Sequence, residues 1–231
     1  MKSLSSLITN SVKKFSKQNF YTTYVPYTSE SRIKRKLPLI EVKKNLWIAS
    51  NASVILGDVK FSEHASRFLS RMIKKRFGRV DTIITPEAKA IGTAYFLAKR
   101  LGVKKVVVAR KSVKSYMKNP IVVETKSITT KGEQILVIDE IERSFIKNKR
   151  VLTFDDVIST GGTLKSLKSL VRILHGKLVG TACVWLEGPW PWDVFEDEIK
   201  EGRLIWLSIL PVFTLEDELF SYRDEVVKKY E

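Results

Sequence analysis

Cysteine and histidine are scarce in this sequence, and their scarcity argues against two kinds of site. Cys183 is the only cysteine among the 231 residues, so the chain cannot form an internal disulfide. It lies in an apolar stretch, where we expect it to be a small buried hydrophobic residue. The two histidines, His64 and His175, are far apart in the sequence, and neither belongs to a Cys/His cluster with the ligand spacing of a zinc site.

Long apolar runs are also missing. The run from Val103 to Ala109 is interrupted by Lys104 and Lys105, whereas a helix that crosses a bilayer needs roughly 18–20 apolar residues. Near the N-terminus, Leu7 and Ile8 are followed at once by polar residues and lysines, which is not a secretory pattern. We therefore expect a cytoplasmic protein that does not associate with a membrane.

Basic residues outnumber acidic residues, and the formal net charge is +16. Ten basic residues precede Asn45, against two acidic ones, Glu30 and Glu41. Such an excess favours an anionic partner, either nucleic acid or a polyphosphate substrate, although a basic solvated surface would give the same composition.

The spacing of apolar residues predicts alternating helices and strands. From Phe61 onwards the apolar residues recur at the helical period, which predicts an amphipathic helix over 62–77 that Gly78 ends. A strand over 80–85, a helix over 90–101 and a strand over 103–109 follow. Strand, helix and strand in so short a stretch form a βαβ unit, which implies a parallel sheet.

The second half of the sequence continues this pattern around an inserted hairpin, whose strands we predict over 121–125 and 135–138 with a turn at 129–132. The later predicted elements are a strand over 151–154, a helix from Thr163 that Gly176 ends, strands over 178–186 and 204–210, and a charged helix from about Leu215.

The length suits one α/β domain with decorations. We divide the chain into a basic N-terminal extension with a helix near 4–17 (1–45), a core (46–186) and a C-terminal part (187–231).

The stretch from Val151 to Thr163 carries the chemistry. A buried strand delivers two adjacent carboxylates, Asp155 and Asp156, to the edge of the sheet where open α/β folds bind ligands. A loop that opens a helix follows, and its N–H groups together with the helix N-terminus attract a phosphate. The loop residues are Ser159, Thr160, Gly161, Gly162 and Thr163. The carboxylates can accept hydrogen bonds from the vicinal hydroxyls of a ribose.

This stretch resembles the phosphoribosyl pyrophosphate (PRPP) signature of the type I phosphoribosyltransferases. Thr153 departs from the usual pattern, since it stands where the strand is normally aliphatic. The resemblance implies an α/β fold with a mainly parallel twisted sheet, helices on both faces, a flexible β-flap and a small hood, to which residues 1–45 and 187–231 could contribute. It also implies that Asp155 and Asp156 bind the ribose hydroxyls, in part through Mg²⁺, and that residues 159–163 hold the 5-phosphate.

The resemblance further implies where the diphosphate and the flap lie. Lys89 would contact the diphosphate in the loop 86–90, although Ala90 stands where glycine is common. Basic residues after the second strand often contact the diphosphate as well, sometimes across a dimer interface, and the candidates here are Arg110, Lys111 and Lys114. The segment from about residue 112 to 132 would be the closing flap, with Glu124 as a catalytic candidate near the base.

Two positions bear on which base is used. Enzymes of this family for 6-oxopurines usually carry an acid where this sequence has Ser159, and a lysine on the strand 178–186, which here has none although Lys177 just precedes it. Both differences favour adenine over hypoxanthine, guanine or xanthine. We expect a base pocket that includes Val157, Trp206 and Leu207, with Trp185 as a further candidate.

A transcription regulator that senses PRPP is the alternative from another class, because the basic N-terminus would suit DNA. Residues 1–60 show no clear helix-turn-helix, however, and prolines stand at Pro26 and Pro38. An enzyme for orotate or another pyrimidine is a further alternative. The favoured interpretation is a purine phosphoribosyltransferase that acts as a homodimer, requires Mg²⁺ and does not bind nucleic acid specifically.

Overall fold

The fold is described from a computed structural model, and the structure describes residues 15–16, 20–125, 134–216 and 219–222. Its strands are β1 Phe15–Ser16, β2 Phe20–Val25, β3 Ile33–Lys43, β4 Leu46–Ala49, β5 Thr82–Pro86, β6 Lys105–Ala109, β7 Ile121–Thr125, β8 Gln134–Ile138, β9 Arg150–Ile158, β10 Lys177–Glu187, β11 Leu204–Ile205, β12 Ser208–Leu210, β13 Val212–Glu216 and β14 Leu219–Tyr222. Its α-helices are α1 Ala52–Ile55, α2 Val59–Phe77, α3 Ile91–Leu101, α4 Gly162–Ile173, α5 Trp190–Val194 and α6 Glu196–Lys200, and a 3₁₀ helix spans Glu140–Phe145.

A parallel sheet forms the centre of the molecule. Its strand order is β11-β10-β9-β5-β6, β12 also pairs with β10, and every one of these pairs is parallel. Successive residues of β5 enter different apolar clusters: Ile83 packs with residues of α2 and α3, and Ile84 packs with residues of α4. The sheet is therefore covered on both faces, which is typical of parallel sheets and confirms the predicted α/β class.

Helix α2 shows why the predicted amphipathic segment is stable. The Asp58 side chain caps its start by accepting a hydrogen bond from the Phe61 backbone N–H at 2.8 Å. Gly78 ends it with φ at 67°, as the sequence predicts. At the end of α4 the prediction is wrong by one residue, because His175 and not Gly176 adopts the positive φ.

A second, antiparallel sheet is built from both ends of the chain, and we call it the terminal sheet. Its strand order is β1-β14-β13-β4-β3-β2. The helix predicted from Leu215 is wrong wherever the structure describes it, because Leu215 and Glu216 belong to β13 and residues 219–222 form β14, which pairs with β13. The helix predicted over 4–17 is wrong at Phe15 and Ser16, which form β1, while 4–14 and 17 lie outside the described residues. Pairing with a neighbouring strand outweighs local helical preference in these segments.

One predicted strand differs in detail from the structure, and the predicted hairpin is present. The strand predicted over 204–210 is interrupted, and its two pieces, β11 and β12, both pair with β10. The predicted hairpin forms between β7 and β8, and its predicted turn at 129–132 lies outside the described residues.

In the ranges that the structure describes, no helix is both long and apolar enough to cross a membrane.

Candidate active site

A cavity of about 280 Å³ opens at the carboxyl ends of three parallel strands. The last residues of these strands, Pro86 of β5, Ile158 of β9 and Glu187 of β10, all line it. The loop 159–163 forms one wall, and residues 48–51, which are the last two residues of β4 and the two that follow it, form another. The cavity thus lies at the edge where open α/β sheets bind their ligands.

Asp155 and Asp156 lie side by side in β9 and both line the cavity. They are 7% and 4% exposed, so they lie deeper than a surface pair of acids at the end of a strand would. Burial raises the pKa of Asp155 well above its ordinary value, and the neighbouring charge of Asp156 raises it further. Two buried carboxyl groups this close together favour the binding of a cation beside them.

Asn51 joins this acid pair to a lysine. Its side-chain amide donates to Asp156 Oδ2 at 2.6 Å, and its side-chain oxygen accepts from Lys89 Nζ at 3.1 Å. Lys89 Nζ also lies 3.1 Å from Asp156 Oδ2. The three side chains come from different parts of the chain and meet at the cavity, so the predicted diphosphate lysine lies beside one of the predicted ribose carboxylates.

The loop 159–163 and helix α4 form a site suited to a phosphate. Gly161 precedes the helix with φ at 81°, and a Cβ atom at this position would lie 2.4 Å from the ring of Phe195. Glycine is therefore required at position 161 both by the positive φ and by the close approach of the Phe195 ring. The N-terminus of α4, which begins at Gly162, faces this wall of the cavity, and its free N–H groups favour an anion.

The predicted basic residues occupy different positions relative to the cavity. Lys89 and Lys111 line it. Arg110 instead donates to Glu87 Oε1 at 3.2 Å and to the Tyr116 hydroxyl at 2.9 Å. The Lys111 backbone N–H, which bonds to Glu87 at 3.0 Å, lowers the pKa of the Glu87 carboxyl, and the charges of Arg110 and Lys114 lower it further. Lys114 is half-buried and does not line the cavity.

The remaining predicted site residues are spread over the molecule. Val157 lines the cavity. Glu124 has an exposed side chain on β7, and its backbone oxygen accepts from the Ser166 hydroxyl at 2.9 Å. Leu207 is buried in the same apolar cluster as Trp185, and Trp206 packs edge-on against Trp192 with ring centroids 6.4 Å apart. Glu124, Trp206 and Leu207 are thus not among the residues that line the cavity.

Trp185 is fully buried, and its position is explained by packing alone. Its ring stacks on that of Phe61 with centroids 5.2 Å apart, and its indole Nε1 donates to the Thr23 hydroxyl at 3.1 Å. The residue links the central sheet to α2 and to the terminal sheet.

Sequence reasoning missed two polar residues of the cavity, Asn51 and Glu187. Glu187 is 7% exposed, and burial raises its pKa to about 7, against the opposing effects of a hydrogen bond from Ser159 and the charge of Lys89. A charged residue directly after the apolar run 178–186 was the available signal for Glu187. Asn51 lies in a stretch with no comparable pattern, so its role emerges only from the fold.

The acid pair could hold a divalent cation. Mg²⁺ in proteins is usually bound by one or two carboxylates, with water and substrate phosphates as the other ligands. Asp155 and Asp156 fit that pattern, and the like charges that raise the pKa of Asp155 would be offset by a cation. Over the described ranges there is no group of three or more His, Cys, Asp or Glu side chains that could form a complete protein-only metal site.

Comparison with known proteins agrees with this geometry. The family described as "Phosphoribosyl transferase domain" matches residues 56–203. An adenine phosphoribosyltransferase of Clostridium botulinum is 30% identical over 137 residues, which cover 58% of this chain and 73% of that protein. An orotate phosphoribosyltransferase of Caldanaerobacter subterraneus subsp. tengcongensis is 24% identical over 163 residues, covering 64% and 74%.

A solved structure shows the same fold. The crystal structure of adenine phosphoribosyltransferase from Thermoanaerobacter pseudethanolicus superimposes with a TM-score of 0.59 at 24% sequence identity, covering 75% of this chain and 95% of that one. The family match spans more than half of the sequence and includes the acid pair, the loop 159–163 and both cavity lysines. The chain therefore belongs to the phosphoribosyl transferase domain family, which confirms the predicted type I fold and the predicted class of enzyme.

Proposed function

We propose that this enzyme transfers the phosphoribosyl group of PRPP to adenine, releasing pyrophosphate and forming AMP. The observation that carries the proposal is the meeting, in one cavity, of the acid pair, the loop 159–163 and two lysines, Lys89 and Lys111. A buried acid pair matches ribose hydroxyls and a cation, a helix N-terminus matches a phosphate, and the lysines match a diphosphate.

The reaction needs no covalent intermediate on the protein. The bond between ribose C1 and the diphosphate oxygen breaks, its electron pair leaves with pyrophosphate, and N9 of adenine attacks C1 and loses its proton. Loop 159–163 would fix the 5-phosphate while Lys89 and Lys111 neutralise the departing charge, so the protein acts by positioning and preorganised electrostatics. Asp155 and Asp156 would hold Mg²⁺, which supplies further positive charge to the diphosphate when bound.

The choice of adenine rests on the groups that line the cavity around Ser159. A 6-oxo group requires a donor, and a buried lysine is the strongest one available. Lys177, the nearest lysine on β10, pairs with Arg150 at the opposite end of β9 and is exposed. Ten residues of strand place it roughly 30 Å from Glu187 at about 3.3 Å per residue. Lys177 therefore lies far from the cavity that we assign to the substrates, and the neutral Ser159 stands where a 6-oxopurine enzyme would carry an acid.

A panel of bases tests this proposal directly. Adenine, hypoxanthine, guanine, xanthine, uracil and orotate are each incubated with PRPP and Mg²⁺, and pyrophosphate release is followed together with the nucleotide formed. We expect adenine to have the highest kcat/KM. A tenfold preference for hypoxanthine or guanine would refute adenine but not the purine class, and a preference for orotate would favour the activity named for the Caldanaerobacter relative.

The regulator alternative has less support from the fold. Residues 20–49 form strands of the terminal sheet, so within this described range there is no helix-turn-helix. DNA binding at about 150 mM salt, measured with and without PRPP, separates the two hypotheses. Weak binding that falls steeply with salt would reflect only the basic surface, whereas a specific, PRPP-dependent site would contradict the enzyme proposal.

We also propose that the enzyme is a homodimer, as the family resemblance implies. Light scattering at micromolar concentration should give about twice the 26.5 kDa mass of one chain. A mass equal to one chain would contradict this.

A further inference from the structure

Glu187 is a buried carboxyl that faces the substrate cavity. It ends strand β10 and lines the cavity together with Val157 and the wall formed by residues 48–51. Within the described part of the chain, no lysine or arginine forms an ion pair with it, whereas the buried Asp156 is paired with Lys89. Removing a carboxylate from water without a cationic partner is costly, so a residue of this kind in a cavity is a candidate for ligand binding.

The register of the central sheet shows which residue of the neighbouring strand lies beside Glu187. Leu186 is paired with Ile158, so Glu187 lies one step beyond the end of β9, level with Ser159. Burial is the largest cause that raises the pKa of Glu187, and the charge of Asp156 raises it further, whereas a hydrogen bond from Ser159 and the charge of Lys89 lower it. Ser159, the first residue of the loop 159–163, is therefore a polar neighbour of this carboxyl.

Charge decides which part of the substrates Glu187 can meet. PRPP brings negative charge on its 5-phosphate and its diphosphate, and a carboxylate next to either would repel it. The loop N–H groups, Lys89 and Lys111 are the groups in the cavity that suit those anions. The ribose hydroxyls are also donors, but the acid pair Asp155 and Asp156 is assigned to them, so the partner left for Glu187 is the uncharged base, whose N–H groups are hydrogen-bond donors.

We propose that Glu187 accepts a hydrogen bond from the exocyclic amino group of adenine and thereby determines which base is used. This inference rests on the proposed function, since it assumes that the base is adenine. At a pH above about 7, where the Glu187 carboxyl is ionised, a 6-oxo group would place an acceptor against the carboxylate with no hydrogen between them. Sites that hydrogen-bond a particular group discriminate strongly against analogues that cannot complete the bond. The wall formed by Val157 and Ile48 provides apolar contact for the ring.

The test compares the wild-type enzyme with Glu187→Gln and Glu187→Leu. The glutamine amide has nearly the shape of the carboxyl but offers a donor as well as an acceptor, and leucine offers neither. Glu142→Gln is the matched control, because it removes a carboxylate that pairs with Lys105 at 3.2 Å and does not line the cavity. For each protein, kcat/KM is measured with adenine and with hypoxanthine, and KM is measured for PRPP.

We expect Glu187→Gln to reduce the preference for adenine over hypoxanthine by about tenfold or more, the size expected for a base-reading hydrogen bond. Glu187→Leu should reduce adenine turnover further, while KM for PRPP stays within about twofold in both variants, on the order of the scatter for a residue that does not touch PRPP. The dissociation constants of AMP and IMP should converge in Glu187→Gln, which gives a second readout that does not depend on turnover.

The outcomes separate this inference from the proposed function. A wild-type enzyme that does not use adenine refutes the proposed function, and the assignment of Glu187 falls with it. A wild-type enzyme that prefers adenine, together with a Glu187→Gln variant whose preference is unchanged, refutes only the role of Glu187. A rise in KM for PRPP with an unchanged base preference would show that Glu187 supports the phosphate loop instead.

Discussion

Asn51 donates its side-chain amide to Asp156 Oδ2 at 2.6 Å, although 105 positions separate the two residues in the sequence. Asn51 follows strand β4 of the terminal sheet, and Asp156 lies in β9 of the central sheet. The same Asn51 side chain accepts from Lys89. One amide therefore fixes the orientation of a predicted ribose carboxylate and of a predicted diphosphate lysine, and it connects the terminal sheet with the acid pair.

Replacing Asn51 by alanine should weaken PRPP binding. Asp156 would lose a buried donor, at a cost of about 1–3 kcal/mol in the free energy of unfolding, and Lys89 would pair with Asp156 alone. We expect KM for PRPP to rise by about tenfold, in line with the loss of one charge-assisted hydrogen bond. The Asn51 side chain makes no capping hydrogen bond to α1, so this effect would not arise from loss of a helix cap. Steady-state kinetics that show an unchanged KM for PRPP would contradict the prediction.

Asp155→Asn should abolish transfer and yet stabilise the magnesium-free protein at pH 8. The pKa of Asp155 is raised in the folded state by burial and by Asp156, so the folded protein binds this proton more tightly than the unfolded chain does. Stability should therefore fall as the pH rises above the unfolded pKa of about 3.8. Asparagine removes that penalty, and its stabilising effect should disappear near pH 3.

Urea unfolding at several pH values measures this effect, with Asp197→Asn as the control. Asp197 is exposed, so its replacement should leave stability nearly unchanged at every pH. Destabilisation of Asp155→Asn at pH 8, or full activity of that variant, would show that the acid pair has been assigned the wrong role.

Gly161→Ala should damage both the fold and the phosphate site. The positive φ of Gly161 disfavours any side chain, and the new methyl group would meet the ring of Phe195. We expect a loss of more than about 1 kcal/mol of stability together with a higher KM for PRPP. Gly92→Ala is a matched control, because Gly92 lies inside α3 with no atom within 4 Å of the added Cβ, and alanine there should stabilise the helix by about 0.5–1 kcal/mol. Equal effects of the two substitutions on thermal unfolding would contradict the argument.

The contact between Arg35 and Asp58 ties the terminal sheet to the start of α2. The hydrogen bond from Arg35 is the largest cause that lowers the pKa of Asp58, with further lowering by the Phe61 N–H, against a raising effect of burial. A lowered carboxyl pKa contributes stability above the unfolded pKa of about 3.8, and that stability is lost as the pH falls through the folded pKa.

Asp58→Ala should therefore destabilise the protein by about 1 kcal/mol or more at pH 7, because it removes both the helix cap and the ion pair. Asp58→Asn keeps an acceptor for the Phe61 N–H and should lose less. Chemical unfolding at pH 7 and at pH 3 measures both variants. If the gap between Asp58→Asn and the wild type is as large at pH 3 as at pH 7, the carboxylate charge is not its cause.

The sequence predicted the central sheet well because its signals are local. The helical period from Phe61 to Phe77 and the apolar strands carry their own pattern, and the acid pair with the loop 159–163 is contiguous in the chain. Each of these elements could be recognised without knowing what packs against it. Their placement around one cavity then follows from the rule that parallel strands end at a common edge.

The terminal sheet was not predictable in the same way. Strand β13 is stabilised by pairing with β4, which lies more than 160 positions earlier in the sequence. No local pattern around Leu215 or Glu216 predicts a partner at that distance. Asn51 and Glu187 were missed for a similar reason. A single polar residue does not indicate a site in the sequence, because its functional partners come from distant parts of the chain and meet it only in the fold. The assignment of Trp206 to the base pocket stays a prediction: its ring packs against that of Trp192, and it is not among the residues that line the cavity.

The pairing of Val212 with Ile48 has a consequence for how the enzyme is made. Ile48 begins the cavity wall that reaches Asn51, and all the strands of the central sheet precede Val212 in the chain. A ribosome therefore releases the whole phosphate loop before it releases the strand that completes the sheet behind this wall. A nascent chain that stops short of Val212 would contain the loop but leave the wall bordered on one side only, so catalytic competence should arrive only after Val212 has left the ribosome.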